Sequence, residues 1–241
     1  ALACAERYAE RYGNVEYAKG FPANGDVTKQ EEIDKYIDEA IRASQSADKI
    51  VVFAGLPDVF ESEAYDRKHM RLPDCQNELI DRLLELGKPV IVVLHNGSPV
   101  EMPWADYAAG IVEAYLGGEG VGEAVMNVLY GKVNPSGKLA ETFPIKLEDN
   151  PSFLNFPVAN HKVNYAEGVF VGYRYYDTKK MDVLFPFGHG LSYTEFEYSN
   201  MKVTPLEGFD DEKFDIIGIN SGATVSVDVK NVGDRAGKEI V

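Results

Sequence analysis

The sequence predicts an α/β fold: a mostly parallel sheet sandwiched by helices, followed by an incomplete antiparallel β-sandwich region. The first observation is that short apolar runs rich in β-branched residues alternate with segments of helical periodicity. Strands separated by helices of about ten to fifteen residues favour βαβ crossovers, which produce parallel sheets covered by helices. The second observation is a change after Asn200, where apolar and polar residues alternate with a period of two, as in half-buried antiparallel strands.

The first predicted helix and strand follow one another directly. Thr28 and Glu31 form a capping-box pattern, and apolar side chains continue at helical spacing as far as Ile41. The run IVVFA at 50–54 comes next. A short continuous apolar run of this kind is typical of a strand that is buried on both faces.

The alternation of strands and helices continues as far as residue 130. The expected elements are a helix with Leu79, Ile80, Leu83 and Leu84 that ends near Gly87, strands at 89–94 and 111–116, and a helix at 122–130. Ligands of such sheets bind outside the carboxyl ends of the strands. The loops that follow the three strands, 55–67, 95–99 and 117–120, should therefore open on one edge, and this edge is the place to look for chemistry.

The last part of the chain predicts the beginning of a second domain. Residues 201–203 and 223–229 alternate apolar and polar side chains, and 229–234 is typical of a strand followed by a turn. A β-sandwich needs on the order of 100 residues, so the remaining segment cannot close two sheets. We therefore expect two domains, 1–199 and 200–241, the second truncated, in a chain that is a fragment.

Composition narrows the classes of partner. The 241 residues include 39 acidic and 24 basic ones, and the formal net charge is −15. This charge would repel nucleic-acid phosphates and anionic membrane surfaces, because both bind clustered Lys and Arg. We therefore expect a neutral substrate, with no nucleic-acid partner and no membrane partner.

Signals for targeting, disulfides and metals are weak. No run of about 18 apolar residues occurs, and residues 1–8 lack the basic start and apolar stretch of a signal peptide. A cytoplasmic location is expected, or a secreted or periplasmic one if a longer parent chain carries a signal peptide. Cys4 and Cys75 are far apart and lack metal-ligand spacing, so we expect no disulfide framework and no metal site. We also expect no cofactor.

The loop after the first predicted strand has the most concentrated polar chemistry. Its segment ESEAYDR, residues 61–67, holds four charged side chains and a phenol. Glycoside hydrolysis needs one protonated carboxyl group and a second, ionised one. Glu61 or Glu63 could supply the first, but residues two apart in an extended loop point in opposite directions, so they are not expected to be the pair. The alternative is a solvated charged loop in which Asp66 and Arg67 pair locally.

Several separated motifs resemble the C-terminal α/β sandwich domain of glycoside hydrolase family 3, a β-glucosidase-like family. They are ESEAYDR at 61–67, with Ala64 where the family usually has Gly, LP at 72–73, QNEL at 76–79, GSPVE at 97–101, LYG at 129–131, NPSGKL at 134–139, FVGYRYY at 170–176 and FPFGHGLSYT at 185–194. Together they extend over nearly the whole chain. The stretch 225–241 resembles the start of the fibronectin type III-like domain that follows in many members.

The resemblance implies that Glu63 is the general acid and later the general base, with Glu61 as the fallback. Asp66 and Arg67 are expected to support the loop or the substrate. The family's nucleophile is an Asp in a Ser-Asp-Trp-like stretch of an N-terminal (β/α)8 barrel, and the single tryptophan here, Trp104, lies in Met-Pro-Trp. The resemblance thus implies part of a retaining, exo-acting hydrolase, by default a β-glucosidase, that is inactive without its barrel. The expected partners are that barrel, a β-linked glucoside or oligosaccharide, and a second copy in a homo-oligomer.

The sequence also allows other interpretations. The glycines at 118–122 could bind phosphate at a helix N-terminus, although their spacing favours strand-to-helix packing. His95 could be a base, although a structural role is favoured, and the tyrosines at 173–176 are expected to pack an interdomain seam rather than stack on sugar. The non-enzymatic alternative is a carbohydrate-binding or scaffold domain in which Glu63 is a polar loop residue.

Overall fold

The computed structural model describes residues 1–25, 29–156, 161–205 and 223–241. These residues form two compact units. The first unit comprises Ala1–Lys132 and Leu139–His189, and the second comprises Val133–Lys138 and Gly190–Val241. The division of the chain into domains at residue 199 stays a prediction.

The first unit is an α/β structure, as the sequence predicts. Its helices and strands are, in chain order, α1 (Leu2–Tyr12), α2 (Gln30–Ser44), β1 (Ile50–Gly55), α3 (Asp74–Leu84), β2 (Val90–His95), β3 (Gly110–Glu113), α4 (Val121–Leu129) and α5 (Tyr173–Lys179), with a short 3-10 turn at Leu147–Asp149. The strands form a parallel sheet in the order β1-β2-β3. The predicted parallel sheet is confirmed.

Helices cover both faces of this sheet because β2 presents apolar side chains to both sides. Val90, Val92 and Leu94 pack into one cluster together with residues of α2 and α3. Val93 packs into a second cluster that includes residues of α1 and α4. Successive side chains of a strand point to opposite faces, so the unbroken apolar run of β2 serves two layers of helices.

The prediction that the first strand is buried on both faces is wrong at one position. Val51 is 41% exposed, whereas Val52 is 5% exposed. On the side of α1 and α4 the apolar cluster includes Phe53 but does not extend to Val51. The strand is therefore covered completely on one face and partly on the other.

One predicted element boundary lies outside the described residues, and another differs from the structure. Thr28 of the predicted capping box lies outside the described residues, and α2 begins at Gln30. The strand predicted at 111–116 ends at Glu113, two residues before Tyr115, which adopts a left-handed φ of 46°. An extended strand cannot accommodate this backbone conformation, and the loop therefore starts earlier than the apolar pattern indicates.

The second unit contains two antiparallel strands, β4 (Phe196–Pro205) and β5 (Ala223–Asn231). Their antiparallel pairing agrees with the predicted fold class. The prediction that they are half-buried is wrong, since Met201 is 72% exposed, Val203 60% and Val225 62%. Within the described part of this unit no second sheet covers these side chains, and a two-stranded sheet has too little surface to bury them by itself.

The NPSGKL motif contributes its first five residues to this second unit. The Asn134 side chain accepts hydrogen bonds from the Ser192 hydroxyl and the Tyr193 N–H, and donates to the Ala236 carbonyl. Lys138 donates to the Gly190 carbonyl at 2.6 Å and pairs with Glu239 at 3.3 Å. The motif therefore holds together segments that are distant in sequence.

None of the helices in the described ranges has both the length and the apolar character that crossing a membrane requires.

Candidate functional site

The carboxyl ends of the three parallel strands meet at one edge of the sheet. The last residues of β1 and β2, Gly55 and His95, lie opposite each other, and Leu94 lies opposite Glu113 at the end of β3. Register and direction thus bring the loops that follow the strands to the same place. The expectation of a common edge is confirmed, and the charged loop at 61–67 follows the first of these strands.

Glu61 binds the loop that follows β2. Its carboxylate accepts a hydrogen bond from the Gly97 N–H at 2.7 Å, and the other oxygen accepts a short one from the Ser98 hydroxyl. The side chain is partly buried. Both carboxylate oxygens are therefore already occupied by donors of the protein.

Arg67, at the other end of the charged segment, binds the same loop. Its Nη2 donates to the Pro99 carbonyl at 2.8 Å, while Nη1 is buried without a hydrogen-bond partner among the described residues. Burial lowers the pKa of the guanidinium, and the carboxylates of Glu61, Glu101 and Glu141 oppose that effect. The charge of Arg67 is thus partly compensated by acidic side chains.

Glu63 lies between these two anchors and points to solvent. It is exposed, as are its neighbours Ser62 and Asp66. Ala64, where the related family usually has glycine, adopts a left-handed φ of 61°. This conformation turns the chain sharply at the residue after Glu63. The structure therefore separates the two glutamates: Glu61 is hydrogen-bonded to the protein, and Glu63 is exposed.

A second polar group lies at the end of β3. Glu113 accepts hydrogen bonds from the Tyr115 N–H at 3.0 Å and the Asn96 amide at 3.3 Å. Burial raises the pKa of Glu113 to about 7, although these two hydrogen bonds act in the opposite direction and the carboxylates of Glu141 and Glu61 add to the rise. Near neutral pH this carboxyl group therefore changes its charge.

Asn96 connects this carboxyl group to the loop that binds Glu61. It is fully buried, and its amide donates to the Ser98 carbonyl at 2.9 Å as well as to Glu113. Ser98 in turn donates its hydroxyl to Glu61. Asn96 and Ser98 thus link Glu113 at the end of β3 to Glu61 after β1, through the Ser98 carbonyl on one side and its hydroxyl on the other.

Glu141 adds a further carboxyl group near Glu61 and Glu113. It accepts a long hydrogen bond, 3.5 Å, from the Tyr115 hydroxyl. Burial raises the pKa of Glu141, and Glu61 raises it further, while the Tyr115 hydroxyl and Arg67 lower it. The pKa of Tyr115 is raised by burial and by the carboxylates of Glu141 and Glu113.

Sequence reasoning missed Glu113, Tyr115 and Glu141. One signal could have pointed to Glu113, since it is a carboxylate inside an otherwise apolar strand run, GIVEAYL. Such a side chain at a strand's carboxyl end has to be satisfied by polar partners. Among the described residues, no three His, Cys, Asp or Glu side chains are grouped so that they could hold a metal ion.

The other candidates from the sequence, namely His95, the glycines at 118–122 and the tyrosines at 173–176, make packing contacts in the structure. The His95 ring stacks on Phe53, with centroids 6.3 Å apart, and its Nδ1 lies 3.3 Å from the Tyr115 carbonyl. In the glycine-rich segment, a Cβ on Gly122 would lie 3.2 Å from Cys4 of α1, so this glycine allows close helix packing. Tyr176 of α5 is buried and Tyr173 is 42% exposed. The tyrosines lie on a helix, and their place at a seam stays a prediction.

Comparison with known proteins relates the whole arrangement to one family. The family model for the glycosyl hydrolase family 3 C-terminal domain matches residues 5–193. The chain is 55% identical over 228 residues to thermostable beta-glucosidase B of Acetivibrio thermocellus, covering 95% of this chain and 28% of that protein. It therefore spans little more than a quarter of that relative's length.

Solved structures give the same relationship. A GH3 beta-glucosidase from Bifidobacterium adolescentis is 38% identical with a TM-score of 0.80, over 95% of this chain and 32% of that one. Beta-glucosidase from Kluyveromyces marxianus in complex with glucose is 42% identical with a TM-score of 0.73, over 84% of this chain and 23% of that one. With the family model matching most of its length, the chain belongs to the glycosyl hydrolase family 3 C-terminal domain family.

Proposed function

We propose that this chain supplies the general acid/base, Glu63, of a retaining, exo-acting glycoside hydrolase that acts on β-linked glucosides. The observation that carries the proposal is the exposed position of Glu63 in a loop anchored at the carboxyl edge of the sheet, in a chain related to beta-glucosidases. The nucleophile would be an aspartate on a (β/α)8 barrel outside this chain.

The reaction needs two carboxyl groups in different protonation states. Protonated Glu63 would give its proton to the glycosidic oxygen while the barrel's aspartate attacks the anomeric carbon and forms a glycosyl-enzyme. Glu63, now ionised, would then take a proton from the water that releases the sugar. Retaining enzymes hold the two groups about 5 Å apart, so the loop at 61–67 must reach the catalytic face of the barrel.

Glu63 suits this role better than Glu61 because a general acid has to face the substrate. Both oxygens of Glu61 accept hydrogen bonds from the loop after β2, whereas Glu63 is exposed. A carboxyl group keeps its proton near neutral pH when it is desolvated or lies beside another negative carboxylate. Docking of the barrel would provide both conditions, and we expect the chain by itself to be inactive.

The neutral substrate fits the charge of the chain. A formal net charge of −15 disfavours anionic ligands and has little effect on an uncharged sugar. A β-linked glucoside or oligosaccharide is the substrate that the similarity to beta-glucosidases supports.

The experiment is hydrolysis of aryl β-glucosides by the full-length parent protein, with Glu63→Ala and Glu61→Ala compared with wild type and with Asp58→Ala, an exposed carboxylate outside the segment. For poor leaving groups, Glu63→Ala should lower kcat/KM about 10²- to 10⁴-fold, while good leaving groups react nearly normally in the first step. Added azide should restore turnover by replacing the base. If Glu61→Ala behaves in this way, the role moves two residues. If neither variant changes hydrolysis, the chain is a scaffold or binding domain.

A further inference from the structure

The geometry points to Glu61 and Arg67 as positioning residues that fasten both ends of the segment 61–67 to the turn at 97–99, and thereby aim Glu63. This inference rests on the proposed function of Glu63. It assigns to Glu61 a part in the reaction that involves no proton transfer, and it makes the loop after β2 the support of the catalytic loop.

The first fastening is the pair of hydrogen bonds at Glu61. Gly97 donates a hydrogen bond through its backbone N–H at 2.7 Å, and Ser98 donates one through its hydroxyl. Two neighbouring residues therefore bind the two oxygens of one carboxylate. The fit is close, since a Cβ on Gly97 would lie 3.2 Å from a Glu61 oxygen. Hydrogen bonds to a charged acceptor are about twice as strong as those between neutral groups.

The second fastening is the Arg67 hydrogen bond to the Pro99 carbonyl, 2.8 Å long. Arg67 is partly buried, and the nearby carboxylates of Glu61 and Glu141 favour its charged form. Burial lowers the pKa of the guanidinium, and these carboxylates offset part of that cost while the hydrogen bond holds the group at the turn. Glu61 takes part in both fastenings, as an acceptor for the turn and as a charge near Arg67.

The segment between the fastenings has little support of its own. Residues 62–66 are all exposed, and Ala64 has the left-handed φ of 61°. The direction of the Glu63 side chain is therefore set by the two ends of the segment rather than by packing around it. A general acid misplaced by about 1 Å can lose on the order of 100-fold in rate.

The support extends deeper than the turn itself. The Asn96 amide binds the Ser98 carbonyl at 2.9 Å, and Asn96 is fully buried. The donors that grip Glu61 thus belong to a turn fixed by a core residue at the end of β2. A rigid turn is what a positioning role requires.

The test is a double-mutant cycle in the full-length parent protein with aryl β-glucosides. Glu61→Ala should lower kcat about 10- to 100-fold for good and poor leaving groups alike, with little change in KM. Ser98→Ala should lower kcat less, and the double variant should be no worse than Glu61→Ala, because both remove the same contact. The kcat of Glu61→Gln, which keeps one acceptor oxygen, should lie between those of wild type and Glu61→Ala. Arg67→Lys should lower kcat in the same manner, and Asp58→Asn serves as the control.

Two further readings separate positioning from proton transfer. The alkaline limb of the kcat/KM profile, which reports the general acid, should persist in Glu61→Ala and disappear in Glu63→Ala, and azide should accelerate only the latter. A Glu61→Ala enzyme with wild-type kcat, or effects of Glu61→Ala and Ser98→Ala that multiply, would overturn the inference. Azide rescue of Glu61→Ala would overturn it as well. Lack of azide rescue in Glu63→Ala would instead overturn the proposed function. Ser98→Ala changes no charge and keeps the test valid if Glu61→Ala does not fold.

Discussion

The side-chain amide of Gln76 pairs with the backbone of Gly55 as a neighbouring strand would. Its oxygen accepts from the Gly55 N–H and its nitrogen donates to the Gly55 carbonyl, both at 2.9 Å. Gln76 is 3% exposed and belongs to the first turn of α3. Because Gly55 is the last residue of β1, this contact fixes the point at which the loop that carries residues 61–67 leaves the sheet.

Replacing Gln76 with leucine should destabilise the chain by about 2 to 4 kcal/mol, since it leaves two partly buried backbone groups of Gly55 without partners. Denaturant titration of the 241-residue chain measures the change. Glu78→Leu, at an exposed position of the same helix, is the matched control and should cost much less. A Gln76→Leu chain as stable as the control would show that water satisfies Gly55 instead.

Gly55 itself should tolerate no side chain. A Cβ at this position would lie 2.0 Å from the carbonyl oxygen of His95 on the neighbouring strand, and backbone atoms cannot move aside as a side chain can. Gly55→Ala is expected to cost about 3 kcal/mol or more and to lower the thermal midpoint accordingly. Gly120→Ala is the control, because Gly120 has an ordinary φ of −79° and no atom within 4 Å of the added carbon. Equal midpoints for the two variants would contradict the prediction.

The parallel sheet could be predicted from sequence because its strands are buried and therefore appear as apolar runs. β2 is the clearest example, with Val92, Val93 and Leu94 all fully buried. Helix α1 was not predicted, because Tyr8 is its only buried residue and the helix therefore has no apolar stripe. The apolar pattern that predicts a strand or a helix arises from burial. Elements that are mostly exposed therefore show little of this pattern.

The polar side of the site was predicted in part. The charged segment 61–67 is continuous in sequence and was recognisable, but the different fates of Glu61 and Glu63 depend on the turn at 97–99. Glu141 comes from a segment about 80 residues further along the chain, and no local pattern links it to Glu61. Contacts between distant segments of this kind are determined by the fold and are not visible in residue spacing.

Glu113 should make stability depend on pH near neutrality. Its pKa is raised by burial to about 7 in the folded chain, against about 4.3 for an unperturbed glutamate. Between these values the folded chain holds a proton that the unfolded chain has lost, so stability falls as pH rises from about 4.3 to 7 and the loss is complete above 7. Relative to Glu113→Gln, wild type should lose on the order of 2 kcal/mol between pH 5 and pH 8.

Denaturant titrations of both proteins at pH 5, 6, 7 and 8 measure this difference. Comparison with the variant isolates Glu113 from Glu141, whose pKa is also raised by burial and would contribute a slope of the same sign to both proteins. Glu119→Gln removes an exposed carboxylate from the following loop and should keep the wild-type slope. Parallel curves for wild type and Glu113→Gln would mean that Glu113 is already ionised at pH 5.

The last prediction concerns Ala64, whose φ of 61° is sterically costly for any residue with a Cβ. Ala64→Gly should stabilise the chain by no more than about 1 kcal/mol, because relief of this strain is partly offset by the greater freedom of glycine in the unfolded state. Ala64→Val, with a branched Cβ, should destabilise it and, in the full-length parent protein, lower kcat by misdirecting Glu63. Denaturant titration and glucoside hydrolysis measure the two effects. If valine were tolerated as well as alanine, the turn after Glu63 would not be left-handed in solution, and the direction of the Glu63 side chain would depend on the contacts of Glu61 and Arg67 alone.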